Sequence, residues 1–68
     1  MDKQSAVKVI DLESGGDAWV LTRLTNTAVG LALSIEHGGD VEVFLTAAAA
    51  LQVAAALAEA ARALEPNL

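Results

Sequence analysis

The pattern of apolar and polar positions changes once along the chain, near residue 46. Before that point, short β-rich segments alternate with turns containing Gly, Asn or Asp, which is typical of antiparallel strands. After it, an Ala-rich segment without Gly or Pro predicts a helix at about residues 47–64. We therefore expect one α+β domain over residues 1–68: a four-stranded antiparallel β-meander followed by one C-terminal α-helix (ββββα). The predicted strands are at about residues 6–12, 18–24, 28–36 and 40–45.

The predicted helix has one apolar stripe. Thr46 is placed to cap its N-terminus, and Pro66 to end it. An isolated helix of this length is only marginally stable in water, so we expect the stripe to pack on one face of the sheet. The stripe residues recur at three- and four-residue steps: Ala47, Ala50, Leu51, Ala54, Leu57, Ala58, Ala61 and Leu64.

The third strand has the clearest alternation, and its large aliphatic residues are expected to face the helix. A three-residue loop at 37–39 would pair Ile35 with Val41 and keep that face apolar. A two-residue loop at 38–39 would pair Ile35 with Glu42 instead, so we predict the three-residue loop, with Gly39 in the left-handed position. The large residues are Val29, Leu31, Leu33 and Ile35, and the small or polar ones are Ala28, Gly30, Ala32, Ser34 and Glu36.

Two registers are open between the second and third strands, and they place Trp19 on opposite faces. An even loop around residues 26–27 puts Trp19 and Leu21 on the face away from the helix. An odd loop puts Trp19 beneath the helix. We favour the even loop, because small residues on the far face of strand 3 leave room for a large neighbour. It predicts an apolar interface patch, here named the aromatic patch: Trp19, Leu21, Phe44, Gly30 and Ala32.

The composition of the chain favours an oligomer. The chain has 68 residues, no Cys and 54% hydrophobic residues, with a mean hydropathy of +0.48. A chain this short has a small core, and without disulfides or thiolate metal sites the usual remaining device is oligomerisation. One helix shields only one face of a sheet, so we predict a homodimer through the other face, with edge-to-edge pairing as the competing geometry.

Charge excludes some partners. The net charge is −5, from nine acidic and four basic residues, which disfavours nucleic-acid phosphates and anionic membranes. The N-terminal segment, MDKQSAVKV, lacks the apolar core of a signal peptide. The apolar run at 43–58 is too short for a membrane span and is interrupted by Thr46 and Gln52. We therefore expect a cytoplasmic protein with no nucleic-acid or membrane partner.

Two acidic turns are the candidates for chemistry. The turn with Asp11, Glu13 and Asp17 is expected to be a solvated hairpin, because acid–base work needs a cleft that separates the carboxyl pKa values. The second turn, which would suit a divalent metal or a general base, is also expected to be solvated, because its glutamates flank a hairpin and need not converge. No Ser has a credible base, so we predict no catalytic residue, cofactor or metal site. The second turn contains Glu36, His37, Asp40 and Glu42.

The element order ββββα resembles that of the small dimeric coactivator domains that bind single-stranded nucleic acid, the PC4-like fold. That resemblance, in element order alone, implies a single-stranded nucleic-acid-binding module. Such domains carry basic residues on their strands, and here Lys8 and Arg23 are the only basic residues in the predicted sheet. We therefore expect a non-enzymatic protein–protein interaction or regulatory module, such as an acidic inhibitor or accessory subunit, with the nucleic-acid-binding module as the alternative.

Overall fold

The computed structural model describes residues 3–65 and contains the predicted elements in the predicted order. The sheet order is β1-β2-β3-β4, and every neighbouring pair is antiparallel. The α+β meander with one C-terminal helix is therefore confirmed. The elements are β1 (Gln4–Ile10), β2 (Asp17–Leu24), β3 (Val29–Ile35), β4 (Asp40–Leu45) and α1 (Ala47–Leu64).

The first strand ends at Ile10, two residues earlier than predicted, because the turn already begins at Asp11. The N–H of Asp11 donates to the carbonyl of Gly16 at 2.9 Å, and the N–H of Gly15 donates to the carbonyl of Asp11 at 2.7 Å. Gly15 takes a φ of 79°, which a residue without a Cβ adopts without strain. Leu12 lies in this turn and is 93% exposed, so its apolar character did not indicate strand.

The even register between β2 and β3 is confirmed. The loop consists of residues 26–27 and is closed by the N–H of Thr25, which donates to the carbonyl of Ala28 at 2.9 Å. Trp19 consequently lies opposite Ser34. The small residues of β3 thus share a face with Trp19 and Leu21 of β2, as predicted.

The loop between β3 and β4 has three residues, as predicted, but it lies one residue earlier. The N–H of Gly38 donates to the carbonyl of Ile35 at 2.9 Å, and a Cβ on Gly38 would lie 3.1 Å from the Cβ of Ile35. His37, rather than a glycine, takes the left-handed conformation, with a φ of 63°. The predicted pairing of Ile35 with Val41 is therefore wrong by two residues, since Val41 lies opposite Leu33. Because the error is even, every side chain keeps its predicted face.

The helix begins as predicted. The hydroxyl oxygen of Thr46 accepts from the N–H of Ala49 at 3.1 Å, which is an N-cap bond. At the other end, the N–H of Glu65 donates to the carbonyl of Ala61 at 3.1 Å. The predicted stop at Pro66 lies outside the described residues.

The helix does not cover the sheet, and here the prediction of packing on one face is wrong. Helix α1 contacts the sheet chiefly at β4, and none of its residues is buried. Leu51, Leu57 and Leu64 are 71%, 69% and 82% exposed. The physical reason is the connection, which is the single extended residue Thr46 and does not return the chain over the sheet. Within residues 3–65 no hydrophobic side chain is buried.

Candidate interaction surfaces

The register divides the sheet into two faces, because paired residues of neighbouring strands point to the same side. The aromatic face carries Gln4, Ala6, Lys8, Ile10, Asp17, Trp19, Leu21, Arg23, Gly30, Ala32, Ser34, Asp40, Glu42 and Phe44. The aliphatic face carries Ser5, Val7, Val9, Ala18, Val20, Thr22, Leu24, Val29, Leu31, Leu33, Ile35, Val41, Val43 and Leu45.

All five residues of the predicted aromatic patch lie on the aromatic face. Leu21 is paired with Ala32, and Gly30 with Phe44. Phe44 is 55% exposed, Leu21 is 38% exposed and Trp19 is half-buried. The fold thus brings the five together on one side of the sheet. Their role as an interface stays a prediction.

The centre of the aromatic patch is occupied by the chain's own side chains. The guanidinium of Arg23 binds both carboxylate oxygens of Glu42, at 3.0 and 3.2 Å, and lies 5.2 Å from the centre of the Phe44 ring. A Cβ on Gly30 would lie 3.1 Å from Cγ of Arg23 and 3.2 Å from Cε1 of Phe44. Gly30 is buried beneath these groups, so the small-residue strip is covered at this point by Arg23 and Phe44.

Further polar contacts surround the aromatic patch. The ammonium of Lys8 lies 3.4 Å from a carboxylate oxygen of Asp17. The hydroxyl of Ser34 donates to the carboxylate of Asp40 at 2.8 Å. Sequence reasoning did not identify Arg23 and Glu42 as partners, although opposite charges on the two strands flanking Gly30 are the signal that points to them. The aromatic face is therefore amphipathic.

The aliphatic face is different, because none of its strand positions carries a charged side chain. Its two polar residues, Ser5 and Thr22, hydrogen-bond to each other through their hydroxyls. Val41 is 56% exposed, Val43 is 46% exposed and Leu33 is 45% exposed. This is the face that the sequence analysis placed beneath the helix, and the chain's own helix leaves it open.

The total accessible surface measures how much remains uncovered. The chain exposes 5637 Å², whereas a compact monomer of its mass, 6.9 kDa, exposes about 4,000 Å². The excess is therefore about 1,600 Å² per chain. Both the open aliphatic face and the exposed helix contribute to it.

The helix alone is also long and apolar enough to cross a membrane by length and composition, and none of it is buried. Core helices of soluble proteins pass the same test. Length and composition therefore do not distinguish a bilayer from a protein surface as the environment of α1.

The two acidic turns make local contacts. His37 is 90% exposed, with Nε2 3.8 Å from a carboxylate oxygen of Glu36, whose other oxygen accepts from the N–H of Asp17 at 3.3 Å. At the first turn, the hydroxyl of Ser14 donates to Asp11 at 2.8 Å, and this bond lowers the pKa of the Asp11 carboxyl below its ordinary value, with the N–H of Glu13 adding to the effect. Within residues 3–65, no three His, Asp or Glu side chains are grouped to hold a metal ion.

Comparisons of the chain with protein families, with curated proteins and with solved structures found no match.

Proposed function

We propose that the chain is a small non-enzymatic protein–protein interaction module, and that its stable folded unit is a homodimer. The observation that carries the proposal is the uncharged, uncovered aliphatic face in a chain without a buried hydrophobic side chain within residues 3–65.

The amount of exposed surface supports a dimer of substantial interface. A standard protein–protein interface buries about 1,600 Å² in total, and obligate homodimers bury about 2,000 to over 5,000 Å². Two chains that each remove their excess of about 1,600 Å² would bury about 3,200 Å², which lies in the obligate range.

The energetics of folding also favour a homodimer. Ordering each residue costs about 1–2 kcal/mol of backbone entropy, and burial of apolar surface is the main term that offsets this cost. A chain of 68 residues without Cys has no covalent substitute for that burial. A second copy supplies it without any further component.

Of the two faces of the sheet, the aliphatic face is better suited to be the dimer interface. Moving ion pairs such as Arg23–Glu42 and Lys8–Asp17 out of water carries a desolvation cost that apolar side chains do not. The predicted interface through the aromatic patch is therefore the competing geometry, beside edge-to-edge pairing.

The acidic balance supports a regulatory role. The net charge of −5 per chain is doubled in a homodimer and is absent from the aliphatic face, so the acidic groups remain on outer surfaces. This favours an inhibitor or accessory subunit acting in the cytoplasm on a protein with a basic surface. Binding of single-stranded nucleic acid is less favoured, because the Arg23 guanidinium on the sheet is held by Glu42.

Two neighbouring residues of β4 test the proposal. Val43 and Phe44 lie on opposite faces of the same edge strand and are 46% and 55% exposed. We expect Val43→Asp to yield a monomer or an unfolded chain in size-exclusion chromatography with light scattering, and Phe44→Asp to remain dimeric. The opposite result would favour the aromatic patch, dimers in both variants would favour edge pairing, and a folded wild-type monomer would contradict the proposal.

A further inference from the structure

We infer that the homodimer is helix-exchanged: α1 of each protomer packs on the aliphatic face of the other. The inference rests on the homodimer proposed above and adds the identity of the element that covers each face.

The helix is fixed in a direction that leaves its own sheet open. The connection between Leu45 and the helix is Thr46 alone, with an extended backbone of φ −67° and ψ 162°. The carbonyl of Thr46 accepts from the N–H of Ala50 at 3.0 Å, and its hydroxyl oxygen accepts from Ala49. Both bonds hold Thr46 to the first turn of the helix, and its extended backbone continues the direction of β4, so the helix leaves the end of the strand instead of returning over its own sheet.

One side of the helix is apolar and uncharged, so it suits the uncovered aliphatic face. Val53, Leu57 and Leu64 follow at steps of four and seven residues and share one side, which includes Leu57 and Leu64 of the predicted stripe but not Leu51. Glu59 and Arg62 lie on the other side. Packing that side on an uncharged face therefore buries no charge.

The dimensions of the two surfaces match. A helix of 18 residues is about 27 Å long, and the first and fourth strands of a sheet lie about 14 Å apart. One helix therefore crosses all four strands of a partner. In a two-fold dimer the same contact occurs twice, so one symmetric arrangement covers the apolar sides of both helices and the aliphatic faces of both sheets.

Cysteine cross-linking tests the inference directly, because the natural chain contains no Cys. We would prepare Leu33→Cys, in the aliphatic face, and Leu57→Cys, on the apolar side of the helix, with an affinity tag on one variant. The two full-length variants are unfolded together, refolded as a mixture and oxidised mildly. We expect a disulfide-linked heterodimer as the main covalent product.

A matched control uses Gln52→Cys, on the polar side of the same helix, in place of Leu57→Cys. We expect at least about a tenfold lower cross-linked yield with Leu33→Cys, since the two sulfurs then lie on opposite sides of the helix. If Leu33→Cys prevents refolding, Val41→Cys replaces it, because Val41 lies opposite Leu33 on the same face and is 56% exposed.

The outcomes separate this inference from the function that it rests on. Strong cross-linking of Leu33→Cys with itself would place sheet against sheet and overturn the exchange while leaving the dimer. A dimer by sedimentation that gives equal yields with Leu57→Cys and Gln52→Cys would also overturn it. A wild-type monomer by sedimentation would overturn both the exchange and the proposed homodimer.

Discussion

Truncation of Leu33 tests whether the aliphatic face is buried in solution. Leu33 lies on β3, one of the two middle strands of the sheet, opposite Val20 on β2 and Val41 on β4. It is 45% exposed in the single chain. Full burial of a leucine contributes about 1.5–3 kcal/mol, so covering the exposed 45% contributes about 0.7–1.4 kcal/mol per protomer. In a two-fold dimer the substitution Leu33→Ala acts twice, which removes about 1.4–2.8 kcal/mol from association.

That loss corresponds to a dimer dissociation constant weakened by about 10- to 100-fold, and a cavity left by incomplete repacking would increase it. The assay is sedimentation equilibrium over a concentration series. Leu12→Ala is the matched control, because Leu12 lies in the first turn, outside both faces, and is 93% exposed. Equal dissociation constants for the two variants would show that the aliphatic face remains in water in the assembled protein and would rule it out as the interface.

Three further predictions concern the cap, the first turn and nucleic acid. Thr46→Ala removes the bond to the N–H of Ala49 and should lower the free energy of unfolding by about 1 kcal/mol in urea titrations followed by circular dichroism; an unchanged midpoint would contradict the cap. Ser14→Ala should raise the pKa of Asp11, measured by carboxyl NMR titration, because the hydroxyl bond that lowers it is lost. Because the pKa of Asp11 is lower in the folded protein than its ordinary value of 3.8, the Ser14 bond stabilises the folded state above pH 3.8. This contribution is lost as the pH falls through the folded-state pKa. The two proteins should therefore differ in stability at neutral pH and converge in acid. The wild type should give no gel shift with single-stranded DNA at near-physiological salt, because of its charge of −5; a salt-sensitive micromolar shift would contradict this and favour the nucleic-acid-binding alternative.

The local sequence pattern was sufficient to predict the secondary-structure elements and which side chains share a face of the sheet. The absence of Gly and Pro and the cap at Thr46 predicted α1 with its observed bounds, and the alternation of β3 predicted which side chains share a face. The even loop at residues 26–27 followed from the fit of Trp19 to small neighbours. These features depend on residues close in sequence or directly paired.

The position of the helix could not be predicted in the same way. An apolar stripe indicates that Leu57 and Leu64 need cover, but it does not indicate which surface supplies it. That depends on the length and conformation of the connection, here Thr46 alone. The contact of Arg23 with Glu42 was missed for a related reason, since it joins the two strands that flank Gly30 and exists only in the finished register.

Sedimentation equilibrium of the wild-type protein at low micromolar concentration determines whether the chain is a homodimer in solution. We expect a single folded species with twice the chain mass of 6.9 kDa and a midpoint of urea unfolding that rises with protein concentration. A well-folded species of 6.9 kDa, with an unfolding midpoint independent of concentration, would contradict it.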